Sequence, residues 1–378
     1  MARDSGISRR SALQLVGGTV AASSLTGLVA GEGDGRQNGD TVRVNVGYTA
    51  QSGRQAAADR AEEIYHDLAT DILTIEVDRN ALPGLRRRKD VRFVEADVEL
   101  EAIAQTTPYG IDKVNATDAH SAGETGNGAD VAVIDTGIEA SHPDLADNLG
   151  EGRAFLAGLG SSQWNDDNGH GTHCAGTVGA IDNDEGVIGV APEVTLHAVK
   201  VLNALGTGLT SDIAAGIEWT ADQGYDVGSL SLGGGGSNTL REACEYAESK
   251  GTLLVTAAGN DGPCSDCVSA PARYPECMAV SATDENDDLA SFSSTGPEIE
   301  IAAPGADVYS TYLGGGYQTL SGTSMACPHV SGGAAQLAAT GYTASEIRQR
   351  LKDTADDVGL AGNEQGAGRL DVADALGL

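Results

Sequence analysis

A chain of 378 residues with 40% hydrophobic content can bury the core of one large or two medium domains, and it is too apolar for a disordered acidic tail. It carries 55 acidic against 23 basic side chains, for a net charge of −32. Such a surface repels phosphate backbones and anionic lipid, which argues against nucleic acid and membrane as partners, and it repels itself unless salt screens it. At about 1 M salt the Debye length is only about 3 Å, so the composition suits a hypersaline setting. The charge is unevenly placed: residues 1–103 carry 16 acids and 13 bases, net −3, whereas residues 104–378 carry 39 and 10, net −29.

In chain order, Ser8-Arg9-Arg10-Ser11 followed by a small, mostly apolar run to Ala30 reads as an export signal of the twin-arginine type. Residues 31–40 form a polar linker. Residues 41–103 read as a small β-α-β unit: Val42 to Val46 alternates like a strand, Ala56 to Leu68 has helical spacing, and Ile72 to Val77 and Val91 to Val94 are strand-like. That unit is equally readable as a removable pro-region or a permanent domain. From Val131 the rhythm changes. Short apolar runs (Val131 to Ile134, Leu196 to Leu202, Val227 to Leu232, Leu253 to Ala257, Met278 to Ala282) alternate with helical stretches such as Ser211 to Gln223 and Thr239 to Lys250. Fully apolar strands between helices predict an α/β fold with a parallel sheet covered on both faces, and a site beyond the strands' carboxyl ends.

Three segments carry candidate chemistry: Val131-Ala132-Val133-Ile134-Asp135-Thr136-Gly137, Asn168-Gly169-His170-Gly171-Thr172-His173-Cys174, and Ser321-Gly322-Thr323-Ser324-Met325-Ala326-Cys327. Singly, each is explained by a turn, a structural histidine or a helix cap. Together they supply what acyl transfer from serine needs: a hydroxyl, an imidazole base, and a carboxylate that fixes the imidazole. The order Asp, His, Ser differs from that of the α/β-hydrolases and of chymotrypsin, and it is the subtilisin order.

On these motifs the chain from about Gln105 onward resembles the subtilisin-like serine proteases, in particular the secreted type of halophilic archaea. The resemblance implies a three-layer α/β/α fold with a mainly parallel sheet, preceded by a small α+β pro-domain over residues 41–103. It implies Asp135 as orienting acid, His170 as base, Ser324 as nucleophile and Asn260, in Ala257-Ala258-Gly259-Asn260, as oxyanion donor. Gly206, Gly208, Ser231, Leu232 and Gly233 would flank an extended peptide, with Leu202 and Ile213 lining apolar subsites, Ala257 and Ala258 walling the pocket for the residue before the scissile bond, and Asp261 beside it. A structural calcium ion is implied, held by Gln105, Asp144 and Asn183 and by the carbonyls of Ile181, Glu185 and Val187. A second cation site around Asp166, Asp167 and Asn168 is a weaker expectation. The pro-domain would be the enzyme's own inhibitor and folding template, cut off at Ile103–Ala104 by the enzyme itself. The remaining expectations are protein and peptide substrates, a monomer, secretion, and no domain after Gly366 to Leu370. Of the six cysteines, Cys327 reads as a small buried residue, and Cys277 is expected to bridge Cys264 or Cys267. A catalytically silent binding relative, or an esterase or ligase on the same scaffold, are the competing functions.

Overall fold

The computed structural model describes residues 41–97, 105–156 and 160–378. The export signal, the linker and the Ile103–Ala104 junction lie outside these. The chain divides into two compact units, Met1–Glu101 and Ala102–Leu378.

The first unit is a four-stranded antiparallel sheet of β1 (Thr41–Tyr48), β2 (Ala61–Leu68), β3 (Ile72–Asp78) and β4 (Val91–Ala96), in the order β2-β3-β1-β4. Its helices are α1 (Gln51–Ala58) and α2 (Leu82–Arg86). Val44, Val46, Leu73, Ile75, Val77 and Leu85 form its core. The helix expected over Ala56 to Leu68 is corrected here. It ends at Ala58, and Ala61–Leu68 is an edge strand paired with β3. Seven of its eight residues are exposed, so burial imprints no period-two pattern on the sequence.

The second unit is built on a seven-stranded sheet. Its strands are β5 (Asp130–Asp135), β6 (Arg153–Ala154), β7 (Thr195–Lys200), β8 (Val227–Leu230), β9 (Leu253–Ala257), β10 (Cys277–Thr283) and β11 (Ile299–Pro304). The order is β11-β10-β9-β8-β5-β7-β6, and every adjacent pair is parallel. A separate hairpin pairs β12 (Val308–Tyr312) with β13 (Gly316–Leu320). The helices are α3 (Tyr109–Lys113), α4 (Ala116–Ala122), α5 (His170–Gly179), α6 (Thr210–Gln223), α7 (Asn238–Lys250), α8 (Thr323–Ala339), α9 (Ala344–Asp353), α10 (Gly362–Gln365) and α11 (Val372–Leu376).

Strand alternation builds the layers. Val131 and Val133 of β5 enter the core shared with α5 and α8, while Ala132 and Ile134 enter the core beneath α6 and α7. Both faces are therefore dry, which is why these strands read as largely apolar runs. The result is a three-layer α/β/α unit. From β5 the sheet grows toward β7 on one side and β8 on the other, so the end of β5 lies where the strand order reverses.

The expected disulfide is also corrected. Cys264 is joined to Cys267, and Cys277 is a free, buried thiol. Cys277 opens β10 with its side chain in the core beneath α7, where Cys244 also lies.

Candidate active site

Asp135 ends β5 and is fully buried. Its Oδ1 accepts a hydrogen bond from the Thr136 N–H at 2.7 Å and lies 2.8 Å from His170 Nδ1. His170 is the first residue of α5, placed after Gly169 at φ 105°, and its N–H donates to Asn168 Oδ1 at 3.1 Å. Gly171 follows. A Cβ there would run into the Gly137 carbonyl oxygen, so only glycine lets α5 start against the end of β5. The Gly171 N–H donates to Thr136 Oγ1 at 2.9 Å, tying the two segments together.

A carboxylate on Nδ1 leaves the lone pair of a neutral imidazole on Nε2. Burial is the largest single influence and lowers the His170 pKa, but the charge and hydrogen bond of Asp135, with Cys174 beside it, together hold the group well above its ordinary value of 6.5. The Cys174 thiol, one helical turn on, lies 4.0 Å from His170 Nδ1 and donates to the Ser324 carbonyl at 3.4 Å. Burial raises the pKa of this thiol, so it stays protonated.

Ser324 is the second residue of α8, where a backbone N–H has no intrahelical acceptor. It is clasped by Ser231: Ser324 Oγ donates to the Ser231 carbonyl at 3.2 Å, and Ser231 Oγ donates to the Ser324 carbonyl at 2.8 Å. His170 and Ser324 line the same cleft, of about 610 Å³, without a hydrogen bond between them among the described residues. Such bonds commonly tighten only when substrate binds. Asn260 lines the cleft as well, and its Oδ1 accepts from the Thr323 N–H and hydroxyl.

Of the expected subsite residues, Leu202, Gly206, Gly208, Ser231, Leu232, Gly233 and Ala257 all line this cleft, as do Ile213 and Asp261. Ala258 does not. It is fully buried, packs with Val268, Ala272 and Ala279, and is corrected from pocket wall to core residue. Cys327 is buried, donates to the Val255 carbonyl, and has its thiol pushed up to about 12 by burial. It is no competing nucleophile.

The expected cation ligands divide. Gln105, Asp144, Ile181, Asn183 and Val187 meet around one point. The Gln105 amide reaches the Ile181 and Val187 carbonyls at 2.7 and 3.2 Å, and the Asn183 amide reaches Asp144 Oδ1 at 3.2 Å. Glu185 joins through its N–H to Asn183 Oδ1. With the Gln105 amide turned to present oxygen, Gln105, Asp144 and the Ile181 and Val187 carbonyls would make an oxygen set around one buried carboxylate that fits calcium, and Asn183 would join it by giving up the Glu185 N–H. The second candidate does not hold together. Asp166 is saturated by the Asn168 N–H and by the Thr172 N–H and hydroxyl, and Asp167 Oδ1 is bonded to Lys200.

Two residues of the site escaped sequence reasoning. Thr323 stands inside a motif dominated by its serine neighbour. Lys200 had a readable signal, a lone cation ending an apolar strand.

A match to the subtilase family spans residues 126–369. The chain is a subtilase. It is 45% identical over 317 residues to an alkaline protease of Alkalihalobacillus alcalophilus, covering 83% of this chain and 81% of that one. It is 49% identical over 275 residues to subtilisin Savinase of Lederbergia lenta, covering 72% and 99%. A thermostable alkaline protease of Halalkalibacterium halodurans is 47% identical over 291 residues, covering 76% and 78%. This subtilase is a serine endopeptidase, acting on protein substrates.

Proposed function

We propose that the enzyme cleaves peptide bonds through Asp135, His170 and Ser324 by way of an acyl-enzyme. The observation that carries this reading is the 2.8 Å contact of His170 Nδ1 with the buried Asp135, beside the cleft into which Ser324 opens. Ser324 Oγ attacks the scissile carbonyl carbon as His170 Nε2 takes its proton. The oxyanion is met by Asn260 Nδ2 and the Ser324 N–H. His170 then protonates the departing amine, the C–N bond breaks, and a water activated by the same imidazole hydrolyses the ester. The segments at Gly206 and Ser231 flank an extended peptide as an added strand.

The same reading extends to the whole chain: export by the twin-arginine route, an inhibitory pro-domain over residues 41–103 removed by self-cleavage at Ile103–Ala104, a monomeric secreted product, and a structural calcium ion. The relatives named above are bacterial. The halophilic part of this reading rests on the net charge of −32, and the secreted part on the export signal at Arg9-Arg10.

The test is hydrolysis of casein and of a small ester, side by side, before and after a serine-directed covalent inhibitor, with Ser324→Ala as control. The reading requires both activities in the native enzyme, both lost on inhibition, and an uncut precursor in the variant. Ester cleavage without casein cleavage would favour the esterase or ligase, and peptide binding without turnover the silent relative.

A further inference from the structure

Lys200 is a cation that the reaction above leaves unused. It ends β7 directly opposite Asp135 in the parallel register with β5, and it is among the largest fully buried side chains of the molecule. A buried ammonium costs several kcal/mol unless its protons are taken up. Here two of the three go to the Thr136 carbonyl and to Asp167 Oδ1, the latter at 2.6 Å. Thr136 is the residue that makes the site: its N–H donates to the Asp135 oxygen that faces His170, and its hydroxyl accepts from Gly171. Lys200 thus grips the third polar group of a residue whose other two align the acid and the base.

The charge around Lys200 is unbalanced. The charged groups near this strand end are Asp135, Asp166, Asp167, His170, Arg153 and Asp212. Asp166 is saturated locally, Arg153 lies over the Phe155 ring, and Asp212 sits in the first turn of α6 beside the open pocket that Asp167 also lines. Asp167, the carboxylate bonded to the ammonium, is 54% exposed and screened by solvent, whereas the Lys200 side chain is only 2% exposed.

We infer that Lys200 is a positioning residue for the Asp135–His170 pair, holding the Thr136 backbone in place and supplying the fixed positive charge against which the pair works. The inference rests on the proposed triad. It predicts opposite effects from its two charges. Removing the cation makes the imidazolium easier to form, and removing its counter-ion makes it harder.

The experiment is the pH dependence of kcat/KM in molar salt for the enzyme matured from the full chain, as wild type, Lys200→Met, Asp167→Asn and the double variant. Lys200→Met is expected to move the acid limb up by roughly 0.5 to 1 pH unit, and Asp167→Asn to move it down by less, since its charge is screened. The double variant should fall between wild type and Lys200→Met. A lysine that merely filled space would lower the plateau rate or the melting temperature without moving the limb. Limbs that stay within about 0.1 unit in both single variants would overturn the inference, whatever happens to stability. If Lys200→Met does not fold, the exposed Asp167→Asn alone decides by the same criterion. A wild-type profile with no acid limb, or an active Ser324→Ala enzyme, would instead implicate the triad reading.

Discussion

Thr323 donates twice to Asn260: its N–H and its hydroxyl reach Oδ1 at 2.9 and 3.0 Å. With the oxygen so engaged, the amide can only turn its Nδ2 donor elsewhere. Gly322 beside it adds no side chain to block that side, and a Cβ there would sit 3.4 Å from Nδ2. Asn260→Leu should therefore lower kcat by about 10²–10³ with KM little changed, as loss of a single oxyanion donor does in a subtilisin. Thr323→Val keeps the N–H and loses the hydroxyl. It should cost roughly tenfold in kcat, the worth of one net hydrogen bond. Steady-state kinetics on a peptide anilide checks both.

Acid should loosen the second unit at two histidines before its carboxylates titrate. Burial pushes His173 and His329 down to about 4, and both stay neutral at working pH. In the unfolded chain each takes up a proton near 6.5. Stability is therefore fully present above that pH and is lost as pH falls from about 6.5 toward 4, by up to about 3 kcal/mol for each. Melting temperatures across that range should fall steeply in the wild type and less in His329→Gln.

Calcium should be visible as stability. If Gln105, Asp144 and Asn183 hold the ion at about a hundred times its dissociation constant, chelation removes about 2.7 kcal/mol and lowers the melting temperature by about 5–10 °C. Asp144→Asn should melt near the chelated wild type and respond little to added calcium. Equal melting of the wild type with and without chelator, in moderate salt, would dismiss the site.

Salt is the fourth lever. With calcium held constant, dialysis from molar salt to about 0.1 M lengthens the Debye length to about 10 Å and exposes like charges to one another. Activity and melting temperature should both fall, and returning the salt should restore them. Full activity after prolonged dialysis would leave the acid excess without a physical role.

How much of this was legible depended on burial. β5 and β7 to β10 are dry on both faces, so their residues are mostly apolar and the sheet could be read from sequence despite buried polar residues such as His197 and Ser229. β2 is wet along nearly its whole length, and Glu62, Glu63 and Leu68 are good helix formers. Only pairing with β3 makes it a strand, and pairing leaves no local mark. The triad residues stood out because their neighbours are constrained with them. Ala258 was misplaced for the opposite reason: beside the buried, cleft-lining Ala257, alternation at the strand end sends the next methyl into a separate core cluster. The cysteine pairing hinged on which face of β10 carries Cys277, a matter of register.

The contact at Gly171 sets the separation of acid and base by main chain meeting main chain. No side-chain volume in either apolar layer enters that distance. Substitutions that swell or shrink the packing beneath α5 are felt first as changes in melting, while the spacing of Asp135 and His170 is held by this main-chain stop together with the Thr136 hydroxyl and Lys200. A lineage could thus retune its interior for heat, cold or brine and keep the catalytic gauge it inherited.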